Sequence, residues 1–208
     1  MAEATRSTTQ PTTEPAPAGA PAGRRRSSTT DLALVAAFAA LIAACAAVVG
    51  IPVGGGGVDI TLQTFGVILA GCVLGPVRGF LAAALYLVLG AAGLPVFAGH
   101  TGGIGVFTGI TAGYLWSFPV IAFVAGLLVR YAAGSRRTSA LVVFLAAVPA
   151  MVVNHLAGVA GMKLVAHVSW PTAFGWDAPF WLGDTVKILV VALVAAEVHR
   201  AFPRLLRG

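Results

Sequence analysis

Charged side chains are scarce in this sequence, and acidic ones are the scarcest. Asp, Glu, Lys and Arg make up only 10% of the 208 residues, whereas hydrophobic residues make up 58%. The mean hydropathy is +0.92. A soluble domain carries about 25% charged residues, because it must cover its core with a surface that water can solvate. The composition therefore excludes a water-soluble globular protein and predicts an integral membrane protein.

Lysine is nearly absent, and the basic residues do not form the patch that nucleic acid requires. The chain has 13 basic and seven acidic residues, a net charge of +6. Only Lys163 and Lys187 are lysines, and the eleven arginines lie outside the apolar runs or at their edges. This distribution is typical of basic loops that flank membrane spans. We therefore expect contact with membrane lipid and no nucleic-acid partner.

Several chemical motifs are also missing. The sequence contains no G-x-x-x-x-G-K-[ST], H-E-x-x-H, G-x-S-x-G or C-x-x-C. The chain therefore lacks the sequence motifs of P-loop ATP hydrolysis and of the familiar hydrolase and metal-dependent enzymes. Cys45 and Cys72 both lie in apolar runs, which favours small buried hydrophobes over a disulfide or a metal site. We expect no metal, no cofactor and no enzymatic activity.

The apolar residues form six runs between two polar tails. Residues 1–30 are rich in Thr, Pro, Ala and Ser and end near three consecutive arginines, so we predict a disordered basic tail. Residues 31–203 form the predicted membrane domain, and residues 204–208 a basic cytoplasmic tail. The six predicted spans are 32–49, 60–74, 80–92, 110–129, 140–165 and 180–198. The second and third are shorter than the 17–25 residues usual for a span.

The arginines predict how the spans are oriented. The loops at 52–59, 94–105 and 167–179 contain no arginine. Counting from a cytoplasmic N-terminus, the arginines of the alternate turns and of the C-terminus all lie on one side: Arg78, Arg130, Arg136, Arg137, Arg200, Arg204 and Arg207. Cytoplasmic loops carry the excess of basic residues. The predicted fold is therefore all-α, with six transmembrane helices and both termini cytoplasmic.

Two ionisable residues, Asp184 and Lys187, fall inside the sixth predicted span. An ionisable side chain in a bilayer costs at least about 2.5–3.5 kcal/mol on insertion scales, so it is by default a candidate functional residue. At a spacing of three, the two share one helix face and can meet. The pair fits two hypotheses, a self-neutralising ion pair within the helix or a ligand site that offers a carboxylate beside an ammonium group.

Other polar residues near the predicted spans have two interpretations each. Gln63 marks either an interfacial helix start, with Thr61 as its N-cap, or a ligand contact. Asn154 and His155 lie in the middle of the fifth span, where hydrogen bonding between helices accounts for them best. Two further candidates, each a ligand contact or a helix-capping residue, are Thr111 and Tyr114.

The first span is dense in alanine at spacings of three and four residues. Small side chains let helices approach closely. We predict a flat docking surface for another membrane protein, formed by Ala33, Ala36, Ala37, Ala40 and Ala44.

Four groups of motifs follow one another along residues 32–202. They are ITLQTF at 60–65 with LGP at 74–76, YLVLGAAGLPVF at 86–97, GGIG at 102–105 with GITAGYL at 109–115, and PF at 179–180 with GDTVK at 183–187. Together they resemble the biotin-specific substrate-binding subunit of energy-coupling factor (ECF) transporters, the BioY family. Two positions depart from the family pattern, since Ile110 replaces a proline and Ala112 a glycine.

The resemblance implies an ECF S-component-like bundle with a vitamin pocket near the outer face of a bacterial plasma membrane. A carboxylate there accepts hydrogen bonds from the ureido N–H groups of biotin, and a lysine donates to the ureido carbonyl or to the valerate carboxylate. On this basis biotin is the transported ligand rather than a cofactor. The expected ligand-binding residues are Asp184, Lys187, Gln63, Thr111, Tyr114, Tyr86, Phe97, Gly102, Gly103 and Trp181.

The resemblance also implies partners. A loaded subunit of this family docks on a transmembrane coupling protein that two cytoplasmic ATPases drive, and the alanine face is the expected docking surface. Two alternatives stay open within this class, an S component for a different small vitamin and a biotin transporter that works alone. The rivals from other classes are a structural or assembly protein of the membrane, and an intramembrane enzyme that uses Asn154, His155 and Asp184.

Overall fold

The computed structural model describes residues 29–48, 50–53, 58–133 and 138–206. In these ranges the chain forms six α-helices and a small antiparallel hairpin. The helices are α1 (Thr29–Ala47), α2 (Gln63–Leu74), α3 (Pro76–Ala91), α4 (Ala112–Ala133), α5 (Ala140–Ala166) and α6 (Trp170–Ala201), and the strands are β1 (Ile51–Val53) and β2 (Val58–Ile60). The expected all-helical bundle is confirmed, while the hairpin was not predicted.

The two predicted tails are described only in part. Residues 1–28 of the predicted N-terminal tail lie outside the described residues, and Thr29 and Thr30 already belong to α1. At the other end, Pro203–Leu206 forms a short 3-10 turn. The described part of α1 therefore begins two residues before the predicted boundary.

Helix lengths divide the bundle into two groups. By length and composition, α1, α4, α5 and α6 are long and apolar enough to cross a membrane. The other two, α2 with 12 residues and α3 with 16 residues, are about 18 Å and about 24 Å long at 1.5 Å per residue. Both are shorter than the hydrocarbon core of a bilayer, about 30 Å.

The shortest helix, α2, lies in the centre of the bundle. Ten of its 12 residues are buried, and it packs against α1, α3, α4 and α6. Because protein surrounds α2, its backbone ends do not face lipid. Non-helical backbone at membrane depth is tolerated where it is buried in protein in this way. A single residue, Gly75, joins it to α3 with a positive φ of 84°. Pro76 then starts α3, four residues before the predicted span.

The bundle has two chemically different ends. The hairpin and the loop at 92–111 form what we call the loop end. At the opposite arginine end, Arg78 pairs with Asp31 at 2.7 Å, which ties the start of α3 to the start of α1. Nη2 of Arg130 donates to the Leu74 carbonyl at 3.3 Å. The described arginines therefore lie at one end, as the sequence predicted.

The sixth helix starts ten residues earlier than predicted. The prediction of a loop at 167–179 is wrong, because α6 begins at Trp170. The Ser169 hydroxyl caps the helix by accepting a hydrogen bond from the Thr172 backbone N–H. Serine followed by a proline in the first turn is a helix-start signal that the hydropathy reading passed over. As a result, Asp184 lies fourteen residues into α6, about 21 Å along its axis, whereas a start at residue 180 would place it only four residues in.

Candidate ligand-binding site

A cavity of about 240 Å³ opens at the loop end of the bundle. Residues from the hairpin, α2, the 92–111 loop, α4, α5 and α6 line it. Among the residues predicted as ligand contacts, those that line this cavity are Asp184, Lys187, Gln63, Thr111, Tyr114 and Phe97. The structure therefore brings together, from four separate segments, six of the ten residues that the sequence singled out.

The polar end of the cavity is the Asp184–Lys187 pair. Nζ of Lys187 donates to Oδ1 of Asp184 at 2.6 Å, and the two residues are 8% and 4% exposed. Thr64 of α2 joins them, because its hydroxyl donates to Asp184 Oδ1 at 3.1 Å and accepts from Lys187 at 3.4 Å. The sequence did not identify Thr64, although its place beside Gln63 in the ITLQTF motif was available as a signal. One ligand group can therefore meet a carboxylate, an ammonium group and a hydroxyl.

Gln63 both starts α2 and lines the cavity, and the residue at the N-cap position is Leu62 rather than the predicted Thr61. Its Nε2 donates to the Tyr86 hydroxyl at 2.5 Å, and its Oε1 accepts from the Thr61 hydroxyl at 3.0 Å. Tyr86 in turn donates to the Val96 carbonyl at 3.1 Å. Tyr86 is fully buried and does not line the cavity; it lies behind Gln63 and orients its amide. Tyr86, which we predicted as a ligand contact, therefore lies outside the cavity lining and supports Gln63.

Aromatic side chains form much of the apolar wall. Phe97, Phe118 and Phe180 line the cavity. The Phe97 ring meets the Tyr86 ring edge-on at 5.4 Å between centroids and the Phe107 ring at 5.6 Å, which fixes the loop that carries Phe97. Phe118 was missed because it lies inside an apolar run, where no sequence pattern separates a cavity wall from a core.

Three other predicted contacts do not line the cavity. Trp181 packs with its indole parallel to the His155 ring, at 4.3 Å between centroids. Gly103 has a positive φ of 95° and donates its N–H to the Gly90 carbonyl at 2.7 Å. Gly102 lies against the Leu94 carbonyl. The two glycines therefore shape the loop, and none of the three faces the cavity.

A buried carboxylate lies behind the cavity. Asp177 is completely buried, and its Oδ1 accepts from the Tyr114 hydroxyl at 2.6 Å. The same oxygen is 2.8 Å from Nδ1 of His155, while Oδ2 accepts from Nε1 of Trp181 at 2.7 Å. The sequence reading placed Asp177 in an outer loop and did not recognise it. The three contacts join α4, α5 and α6.

The fifth helix contributes the expected hydrogen bonds between helices. Oδ1 of Asn154 accepts from the Ser117 hydroxyl of α4 at 2.9 Å, and His155 contacts Asp177 of α6. The interpretation of Asn154 and His155 as interhelical partners is therefore confirmed. Cys45 and Cys72 are buried and unpaired, as expected of small hydrophobes. In the described residues, no group of three His, Cys, Asp or Glu side chains could hold a metal ion.

A bundle of apolar helices around a cavity that ends in a buried carboxylate–ammonium pair defines a membrane-embedded binding protein for a small molecule with both polar and apolar parts. Known proteins share this sequence and architecture. A model of the BioY family matches residues 18–204. The chain belongs to the BioY family.

The chain is also similar to individual members of that family. It is 41% identical over 187 residues to the biotin transporter BioY of Rhodobacter capsulatus, covering 83% of this chain and 95% of that protein. It is 38% identical over 182 residues to the biotin transporter BioY of Rhizobium etli, covering 86% and 97%. A solved structure described as the S-component for biotin from an ECF-type ABC transporter has a TM-score of 0.80 at 23% identity, covering 86% of this chain and 95% of that chain. This structural likeness establishes the S-component fold.

Proposed function

We propose that this chain is the membrane-embedded substrate-binding subunit of an ECF-type transporter and takes up biotin through the bacterial plasma membrane. The observation that carries the proposal is the buried Asp184–Lys187 pair at the end of a cavity in a BioY-family chain. Curated relatives across most of the chain are biotin transporters. The protein is a transporter and not an enzyme.

The chemistry of the cavity supports biotin as the ligand. The Asp184 carboxylate accepts hydrogen bonds, and the ureido group of biotin offers two N–H donors. Lys187 donates to an oxygen of the ligand, either the ureido carbonyl or the valerate carboxylate. Phe97, Phe118 and Phe180 supply apolar surface for the bicyclic ring and the aliphatic tail. Gln63 and Thr111 add amide and hydroxyl groups to the lining.

We place six helices in the membrane, with both termini in the cytoplasm and the loop end facing outward. The four long apolar helices support this topology, and so do the described arginines at the end opposite the cavity, because basic residues favour the cytoplasmic side. The short helices α2 and α3 complete the count as a pair joined at Gly75. In this orientation the cavity receives biotin from outside the cell.

The partners we propose are a transmembrane coupling protein and two cytoplasmic ATPases. Support comes from α1, which is the least buried of the four candidate spans, at 22%. The five predicted docking alanines are all exposed in the described structure: Ala33, Ala36, Ala37, Ala40 and Ala44. A face of small side chains allows another helix to approach closely. We propose that the loaded subunit docks through this face and topples to release biotin inward.

The contacts of His155 argue against the intramembrane-enzyme alternative. A catalytic histidine activates a hydroxyl or thiol nucleophile within hydrogen-bond reach. His155 instead lies between the carboxylates of Asp177 and Asp184. The Ser117 hydroxyl is bonded to Asn154 and to the Tyr114 carbonyl. The purely structural alternative does not account for a cavity lined by these polar groups.

Ligand binding by the purified full-length chain tests the proposed function. We expect the protein in detergent to carry biotin that mass spectrometry identifies, and the stripped protein to bind one biotin per chain in a calorimetric titration. Riboflavin and thiamine serve as competing vitamins. A chain that binds another vitamin but not biotin would keep the S-component fold and lose the substrate assignment. A chain that binds no vitamin would support the structural alternative.

The contact between Gly90 and Phe97 gives a second prediction. A Cβ at Gly90 would overlap the Phe97 ring, which lines the cavity. We expect Gly90→Val to push this ring out of place and to weaken biotin binding about tenfold, since overpacking costs roughly 1–3 kcal/mol. In the matched control Gly105→Val, the added side chain meets nothing within 4 Å. Equal affinities of the two variants would contradict the role of Phe97 as a fixed wall.

A further inference from the structure

Asn154 is the residue that α5 contributes to the cavity lining. Its side chain is almost entirely buried, with 1% of the residue exposed. The next residue, His155, has its Nε2 3.5 Å from Oδ2 of Asp184, so α5 brings Asn154 to the same depth as the Asp184–Lys187 pair. A polar group is costly to bury at membrane depth unless its hydrogen bonds are made.

One end of the Asn154 amide is bonded within the protein, and the other end is open to the cavity. Oδ1 accepts from the Ser117 hydroxyl of α4 at 2.9 Å. Among the residues that the structure describes, none accepts a hydrogen bond from Nδ2. Nδ2 is also not one of the described side-chain atoms that are both unpartnered and fully enclosed. The two N–H groups of Nδ2 are therefore reached from the cavity.

The bond between α4 and α5 does not by itself require an asparagine. The single proton of the Ser117 hydroxyl is shared with the Tyr114 carbonyl, 2.7 Å away in the same helix. Serine in a helix commonly bonds to its own backbone in this way. An asparagine at this depth adds two N–H donors that have no acceptor in the protein. A ligand with an acceptor atom beside Nδ2 removes this cost when it binds.

We propose that Asn154 is a ligand-binding residue that donates a hydrogen bond from Nδ2 to the ureido carbonyl of biotin. The inference rests on the proposed function, in which Asp184 accepts from a ureido N–H group. The N–H groups and the carbonyl belong to one planar ureido group, so the carbonyl lies at the same end of the cavity as the Asp184 carboxylate. A carbonyl oxygen has two lone pairs, so Asn154 can bind it with or without Lys187.

This contact makes Asn154 a specificity-determining residue. The Asp184 carboxylate selects a ligand group that donates, and the Asn154 amide selects a neighbouring group that accepts. An analogue that carries a donor in place of the ureido oxygen would direct an N–H group at the N–H groups of Nδ2. A site built to hydrogen-bond one group rejects an analogue without it, because the buried polar group of the site is then left unpaired.

The test compares biotin with iminobiotin, in which a protonated imino group replaces the ureido oxygen at neutral pH and donates instead of accepting. Asn154→Leu keeps the branched shape of asparagine and removes its N–H groups. We expect this variant to bind biotin about tenfold more weakly, the effect of one hydrogen bond. We also expect the ratio of the iminobiotin to the biotin dissociation constant to fall about tenfold. Calorimetric titration of the full-length chain in detergent measures both constants.

The matched control is Ser117→Ala, which removes the same bond between α4 and α5 from its other side. Ser117 does not line the cavity, and Nδ2 of Asn154 stays in place. We therefore expect this variant to keep the ratio of the unmodified chain. Thermal unfolding of both variants measures the contribution of the bond to stability. If Asn154→Leu does not fold, Asn154→Ala is measured in its place, with the same expectation.

The two proposals fail in different ways. If the unmodified chain binds neither biotin nor iminobiotin, the proposed function fails. If the unmodified chain binds biotin and Asn154→Leu keeps its affinity, the contact with the ureido carbonyl is overturned and the function stands. Equal weakening of both ligands by Asn154→Leu would also overturn the contact. A ratio that falls as far in Ser117→Ala would assign the effect to helix packing and overturn it as well.

Discussion

Lys187→Met and Asp184→Asn are each expected to weaken biotin binding by about ten- to 100-fold. Each change removes one of the two charged groups that we propose meet the ligand, and it also breaks the 2.6 Å pair. Hydrogen bonds to charged groups contribute roughly 1.5–3 kcal/mol each, and 1.4 kcal/mol corresponds to a factor of ten. Calorimetric titration of the purified variants measures the loss. Affinity unchanged by either substitution would refute the site assignment.

A double variant separates the loss of binding from the loss of folding. A single substitution leaves one buried charge without its partner, which costs about 3–5 kcal/mol of stability, whereas removing both charges does not. We expect Asp184→Asn combined with Lys187→Met to unfold at a higher temperature than Lys187→Met alone, and still not to bind biotin. The matched controls Glu197→Gln and Lys163→Met remove an acid and a base that do not line the cavity, and they should bind normally.

Leucine in place of Ala37 and Ala40 is expected to abolish biotin uptake and leave biotin binding unchanged. Both alanines are exposed on α1, so we expect the larger side chains to leave the fold of the chain intact. The leucine side chains would, however, keep a partner helix from approaching the alanine face closely. Uptake of labelled biotin by cells that also produce the coupling protein and ATPases measures transport, and titration of the purified variant measures binding.

The control for this substitution is Ala132→Leu, which makes the same change at an exposed position of α4. It should support full uptake. Full uptake by the α1 variant would contradict docking through the alanine face. Uptake that persists when the coupling protein and ATPases are removed would show a transporter that works alone, and the α1 substitutions should then have no effect.

Hydropathy predicted the helices well where the chain is apolar and poorly where polar residues start a helix. The predicted start of α5 agrees with the structure at Ala140. The start of α6 was missed by ten residues, because residues 170–179 include two prolines, a glycine and Asp177. Hydropathy measures the free energy of transfer into lipid. It does not detect a helix whose polar residues are satisfied by other helices, as Asp177 is by Tyr114 and His155.

The same limit applies to the site. Asp184 and Lys187 could be singled out because an ionisable group within an apolar run is costly wherever it points. The roles of Tyr86 and Trp181 depend on distances in the folded structure, which the spacing of residues along the sequence does not predict. Both lie one layer behind the cavity, Tyr86 against Gln63 and Trp181 against Asp177. Phe118 lies inside an apolar run, and only the packing of the helices places it in the cavity wall.

The unequal helix lengths also have a consequence for the surrounding lipid. With 32 residues, α6 is about 48 Å long, whereas α3 is about 24 Å long. Both helices expose large apolar side chains, such as Leu182 on α6 and Val88 on α3. The apolar run of α6 at 180–198 is long enough for a hydrocarbon core of about 30 Å, whereas α3 is not, so the lipid must thin beside α3. The acyl-chain length of the lipid therefore affects the tilt of the protein in the membrane. It also affects the free energy of any reorientation during transport.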